Sequence, residues 1–206
     1  MAGTRDDAPL VQAESVEQWR AWLVEHHASS SGVWLVSWRA QTGRASVPYV
    51  EAVEQALCVG WIDSTARRLD DERTALWFTR RKAGSGWART NKERVERLEA
   101  AGLMLPAGRA VIDAAQADGS WSLLDEVENL VVPADLAAAF VGYPGSRERW
   151  DAFPPSARRA HLAWLAQAKR PETRGKRADE VARLAQRGER ANEWVPRDKR
   201  AQPGDG

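Results

Sequence analysis

The sequence predicts an α+β fold: a small mixed α/β N-terminal part with a β-hairpin, followed by an all-helical C-terminal part. Three observations carry this. Residues 33–38, 61–69 and 75–81 are short β-type runs, the last two separated by a charged turn. Capping signals and helical spacing surround those runs. From Pro133 onward only helical spacing remains, punctuated by Gly142, Pro144, Pro154-Pro155 and Gly188.

Each element follows from local chemistry. Ser15-Val-Glu-Gln18 fits a capping box, and Val16, Trp19, Trp22, Leu23 and His26 continue from it as a buried helical stripe. Val33–Trp38 is a Trp/Val-rich strand that ends at the polar turn Gln41-Thr-Gly-Arg44. Pro48 opens a second helix with Val50, Val53 and Leu57 inward and Gly60 as its stop. Trp61–Leu69 and Ala75–Arg81 form the hairpin across Asp70-Asp-Glu-Arg73. Thr90-Asn-Lys-Glu93 is a second capping box, opening a helix that ends at Gly102; Ala107–Ala117 is another, closed by Asp118-Gly119. Helices at Ala134–Val141, Ser146–Phe153, Ser156–Ala168 and Thr173–Gln186 complete the chain. The expected organisation is a loose N-terminus at 1–14, the mixed part at 15–119, a joint at 120–132, the helical part at 133–190 and a loose tail at 191–206.

Composition excludes several function classes. The net charge of +1 gives no global attraction to nucleic acid or anionic lipid. The single cysteine cannot close an internal disulfide, and no Cys/His spacing resembles a zinc site. His26 and His27 are adjacent, which on a helix points them about 100° apart, so no transition-metal site is expected; no cofactor is expected either. No apolar run reaches the ~20 residues a membrane helix needs, and the first residues lack a signal core; a cytoplasmic protein with no membrane insertion is expected.

The stretch 57–91 gathers Cys58, Trp61, Asp63, Trp77, Arg81, Ser85, Trp87 and Asn91. Packing rarely calls for that mixture of indoles, a carboxylate and arginines, so it reads as a binding surface. Period-two alternation puts Trp61, Asp63 and Thr65 on one face of the first hairpin strand, and Trp77, Thr79 and Arg81 on one face of the second. With Ile62, Leu76 and Phe78 turned to the core, Trp61, Asp63, Trp77 and Arg81 converge on the other side; a register slip of one residue reverses this. An Asp63–Arg81 pair there is either a brace for the hairpin or the polar centre of an aromatic pocket. Cys58, in the last turn of a helix and far in sequence from any histidine, reads as a small buried residue. Arg80, Arg81, Lys82, Arg89, Lys92 and Arg94 form a basic run near a helix start, suited to an anion or to a solvated loop, and the Gly-x-x-x-x-Gly-Lys-Ser/Thr spacing is absent. Trp121, Trp150 and Trp164 read as core, while Trp194 is either docked on the body or a partner contact. The mixed charges of 169–200 read as a solvated helical face, with a nucleic-acid arm the weaker reading.

Trp19-x-x-Trp22-Leu23, Gly32-Val-Trp-Leu35, Glu51-Ala-Val-Glu54, Ala56-Leu-Cys58 and Gly60-Trp-Ile-Asp63 resemble the bacterial YdeI/OmpD-associated proteins, the bacteriocin-protection family. So do Ser85-x-Trp87, Asn91, Leu98, Gly102-Leu-Met104, Pro133-x-Asp-Leu136, Ser156-x-Arg158 and Ala168-Lys-x-x-Glu-Thr-Arg174. The similarity spans roughly 15–188. It implies a role in stress or antimicrobial protection, and brings no catalytic mechanism or cofactor. Where related sequences tend to have Thr-Pro-Arg-Arg, this chain reads Thr79-Arg-Arg-Lys82 and lacks that rigid turn.

Three readings compete. The leading one is a bacterial intracellular stress or resistance protein that binds a small anionic or aromatic ligand between Trp61, Trp77 and Trp87, with Asp63, Arg81, Ser85 and Asn91 as polar contacts. The second is a hydrolase or transferase acting on a toxic metabolite, with a desolvated Asp63 as base or nucleophile. The third is a nucleic-acid or protein-interaction module, using the 80–94 basic run with Trp87 as a stacking platform.

Overall fold

Apolar residues at two different periods build the N-terminal unit, as the computed structural model shows for Arg5 and residues 8–192. Trp194 and most of the positions expected to be loose ends lie outside the described residues. The chain divides into two units, Met1–Ser122 and Leu123–Gly206, each with its own apolar core.

In the first unit, strands β1 (Leu10–Gln12), β2 (Gly32–Trp38), β3 (Trp61–Arg68) and β4 (Arg73–Arg80) form one sheet in the order β1-β2-β4-β3. β1 runs parallel to β2, whereas β2–β4 and β3–β4 are antiparallel. The parallel pair needs a crossover, and α1 (Val16–His26) is in it. β1 lies within the segment expected to be loose. Three residues carry no readable period, and their order comes from pairing with β2, remote in sequence.

Helices α1, α2 (Tyr49–Cys58), α3 (Arg89–Ala100) and α4 (Pro106–Ala117) contribute to the core of this unit. Ser15 caps α1 by accepting from the Gln18 amide at 3.4 Å, and the Gln18 side chain reaches back to the Glu14 amide at 2.9 Å. Trp19 and Leu23 turn inward with Val33, Leu35, Val53, Leu57 and Phe78. In α2, Val53 and Leu57 are buried as expected, but Val50 is 48% exposed and lies off the inward stripe. The second capping box is not formed: α3 starts at Arg89 after Ala88, without a side-chain cap, and Thr90 lies inside the helix. The far end does close at Gly102, whose φ of 68° lets the Leu103 amide return to the Leu98 carbonyl.

α4 packs against the end of α2 through Gly108. A Cβ at that position would lie 2.4 Å from the Cys58 carbonyl oxygen and 2.8 Å from that of Leu57. These are backbone atoms and cannot swing aside. Gly108→Ala is therefore expected to destabilise the protein by about 1–3 kcal/mol through overpacking, although Ala is the better helix former by ~1 kcal/mol. The midpoint of urea denaturation measures it, and an unchanged or higher midpoint would refute this account of the packing.

The second unit is helical throughout: α5 (Asp125–Glu128), α6 (Ala134–Val141), α7 (Ser146–Asp151), α8 (Pro155–Ala166) and α9 (Pro171–Ala185). α5 lies inside the segment expected to be a plain joint. Trp150 is fully buried, and its indole donates to His161 Nδ1 at 3.1 Å. An indole can only donate, so that ring nitrogen is an unprotonated acceptor.

Candidate functional site

Register decides which side chains of the hairpin meet. Trp61 faces Arg80, Ile62 faces Thr79 and Asp63 faces Phe78. Directly opposed residues share a face, so Trp61 and Asp63 project on the Phe78 side of the sheet, and Trp77 projects on the other. The expected convergence of Trp61, Asp63, Trp77 and Arg81 does not occur. β3 also carries one extra residue, since Asp63 faces Phe78 but Ala66 faces Leu76, a bulge at Ser64–Thr65. Trp61 is buried in the helix-side core, edge-on to Trp22 at 6.2 Å. Trp77 packs with Trp34, Val36 and Ala75 in a separate cluster on the opposite face, with the Arg5 guanidinium 5.1 Å from the centre of its ring.

Asp63 does not pair with Arg81. Its carboxylate accepts from the Tyr49 hydroxyl at 3.1 Å, and Tyr49 is 55% exposed. That setting lacks the closed, dry surroundings that the acid–base reading requires. Asn91 sits in the first turn of α3, where its side chain accepts from Arg94 at 2.8 Å. Ser85 donates to the Lys82 carbonyl at 2.6 Å and fixes the turn after β4. Arg80 caps the end of α1 by donating to the carbonyls of His27, Ala28 and Ser30. It is thus spoken for structurally and does not form an anion patch with its neighbours. Cys58 is fully buried, and burial pushes its thiol up, against a weaker opposing pull from the Arg20 guanidinium.

Arg81 and Trp87 do come together. The Arg81 amide donates to the Gly60 carbonyl at 3.0 Å, which extends the β3–β4 pairing and aims the side chain at the 84–87 loop. Its guanidinium lies 3.8 Å from the centre of the Trp87 ring and donates to the Gly86 carbonyl. Trp87 is only 2% exposed and contacts Trp121 at 4.9 Å between ring centres. So deep an indole cannot serve as the open stacking platform of the nucleic-acid reading.

Beside this pair is a cleft of about 200 Å³. Ala110, Val111, Ala114 and Ala115 of α4 give it an apolar wall, and Arg81, Lys82, Trp87, Asp118 and Ser120 complete the lining. Among the described residues no carboxylate lies within 4.0 Å of the Arg81 guanidinium, and its Nε is buried without an acceptor. Burial alone pushes this guanidinium down to about 10. Asp118 is exposed and accepts from the Ser120 amide at 2.8 Å; its contacts with Ser120 and the Gly84 amide hold its carboxyl below the ordinary value, while the Ser120 hydroxyl is buried without a hydrogen-bond partner. The α4 wall and Asp118 are absent from the residues singled out by sequence. Alanines at helical spacing look like packing, and Asp118-Gly119 looks like a helix stop.

Residues 129–188 match the family model described as Bacteriocin-protection, YdeI or OmpD-Associated. They form a YdeI/OmpD-associated domain. Residues 11–111 match a second family model, described as a Domain of unknown function (DUF8412). The similarity expected over 15–188 as a single stretch is thus divided, with Gly60-Trp-Ile-Asp63 and most of the cleft in the second match. No curated protein and no solved structure matches the chain. No helix among the described residues is long and apolar enough to cross a membrane.

In the YdeI/OmpD-associated domain, two residues that carry the sequence resemblance meet. Arg174 of α9 grips Asp135 of α6 through a two-pronged contact, Nε to Oδ2 at 2.5 Å and Nη2 to Oδ1 at 3.2 Å. The hydrogen bonds from Arg174 hold the Asp135 carboxyl below its ordinary range. A depressed carboxylate contributes stability above the unfolded value of ~3.9 and loses it as pH falls through the lower folded value. Asp135→Asn is expected to lower stability by about 1 kcal/mol at pH 7, modest because both side chains are about one-third exposed. That deficit should shrink toward zero in paired denaturation curves as pH falls below ~3.9 and through the lower folded value; a deficit independent of pH would rule out the ion pair as its cause.

Proposed function

We propose that the N-terminal unit binds a small anionic ligand with an apolar or aromatic body, and that this chain serves bacterial stress or antimicrobial protection by holding that ligand. Arg81 is the anchor for the anion, Trp87 orients the anchor, and the alanine wall of α4 takes the apolar part. One observation carries the reading: a largely desolvated guanidinium stacked on a buried indole beside an apolar cleft, with no carboxylate in ion-pairing distance among the described residues. A buried cation without a counter-charge is costly, and a cavity beside it gives an anion a place to offset that cost. Ligand sites of this kind are mostly apolar with a few convergent polar groups, as here. Of the seven residues singled out by sequence, Arg81 and Trp87 line this cleft; Trp61, Asp63, Trp77, Ser85 and Asn91 do not.

Native mass spectrometry of the purified chain tests this. Parent protein should retain a small molecule bearing an anionic group that is released on unfolding and is missing from Arg81→Met. Retention of the same species by both proteins would overturn the assignment of Arg81.

A further inference from the structure

We infer that the ligand is a zwitterion of single amino-acid size, its carboxylate on Arg81, its ammonium group on Asp118, and its side chain between Trp87 and the α4 wall. This rests on the reading of the cleft as the binding site and narrows it to a substrate class.

The lining carries both signs of charge. Arg81 and Lys82 stand on the loop after β4, and Asp118 stands at the end of α4. Arg81 and Asp118 make no ion pair with each other, although both line the same cavity. Asp118 is exposed at the rim of the cleft and is held by neutral donors, the Ser120 amide among them, and no cationic side chain pairs with it among the described residues. A carboxylate has about four lone-pair positions, so these donors leave it able to accept from an ammonium group.

A largely desolvated guanidinium and an exposed carboxylate lining the same apolar cleft, neither paired with an opposite charge of the protein, favour a molecule that carries the complementary pair. A simple anion would satisfy Arg81 but bring its charge toward Asp118, and a simple cation would do the reverse. A zwitterion satisfies both. Size points the same way. The cleft of about 200 Å³ has room for a molecule of single amino-acid size. The uncharged wall of Ala110, Val111, Ala114 and Ala115 suits an aliphatic or aromatic side chain.

Isothermal titration with L-leucine and L-phenylalanine, each beside its desamino and decarboxy analogues, tests this on the full chain. The better amino acid should bind the parent about tenfold or more tighter than either of its one-charge analogues. Asp118→Asn retains an acceptor for the Ser120 amide, so it should keep the fold by circular dichroism. It should erase the advantage of the amino acid over the desamino acid without weakening the latter. If the desamino acid binds the parent as tightly as the amino acid, and Asp118→Asn leaves the amino acid's affinity unchanged, the zwitterion is wrong while the anion cleft stands. If none of the six compounds binds at millimolar concentration, both readings fall.

Discussion

Arg81→Met should make the protein more stable while abolishing ligand binding. The expected gain is small, at most about 1 kcal/mol, because a methionine of similar length fills the space over Trp87 without the roughly 3 kcal/mol cost of desolvating the charge, a relief mostly offset by the contacts it loses. The sign follows from linkage. Burial lowers the guanidinium to about 10, still well above neutrality, so at pH 7 it is charged in the folded protein and its desolvation cost is present in full. That cost is relieved only as pH rises above about 10. Against it stand the stack on Trp87 and the hydrogen bond to Gly86, which methionine gives up. Stacking of a desolvated cation contributes up to about 2 kcal/mol and a hydrogen bond from a charged donor about 1.5–3, so they limit the gain. Urea denaturation of parent and variant at pH 7 gives the answer; a variant less stable by 1 kcal/mol or more would mean that Arg81 is a structural brace. A residue that lowers stability at a cavity is what a retained binding group looks like.

The largest loss of stability is expected from Trp19→Ala. Trp19 is fully buried where α1 meets α2, and its indole donates to the Ala52 carbonyl at 3.0 Å. Its ring lies parallel to Trp22 with centres 5.6 Å apart, and tilted against Phe78 at 5.2 Å. Truncation removes the ring from the middle of the core, leaving a cavity that the sheet and two helices can fill only partly. A cost of about 3–5 kcal/mol is expected, a large share of the stability of a domain this size. Trp19→Phe keeps much of the apolar contact and should recover more than half of it. If Trp19→Ala costs less than 1 kcal/mol in guanidinium denaturation, the core is not organised around this indole.

Elements with strong local signals were legible in the sequence. Pro133 and Gly142 bracket a helix at Ala134–Val141, Pro48 precedes the helix at Tyr49, and Ser15 with Gln18 caps α1. The hairpin and its charged turn were legible too, since the Asp70 carboxylate accepts from the Glu72 and Arg73 amides and closes the turn in place. Its faces were not. They are set by pairing of β4 with β2 and by the bulge at Ser64–Thr65, neither of which alternation along β3 can report. Thr90-x-x-Glu93 looked like a cap because the residues have the right spacing, yet the helix begins two residues earlier than that cap implies, at Arg89 after Ala88. The candidate site was half legible. Arg81 and Trp87 stand out by residue type, whereas the wall of α4 is made of small side chains that any packed helix carries, and it is brought to Arg81 by the close approach of Gly108 to Cys58.

The Nε–H resonance of Arg81 in ¹H–¹⁵N spectra, assigned by its loss in Arg81→Met, reports directly on whether this guanidinium anchors a ligand. Its buried donor should exchange slowly with solvent and shift progressively as L-phenylalanine or L-leucine is added. A resonance that stays fixed while signals from Tyr49, Asp63 or the β1 side of the sheet move would place the ligand elsewhere and contradict the account.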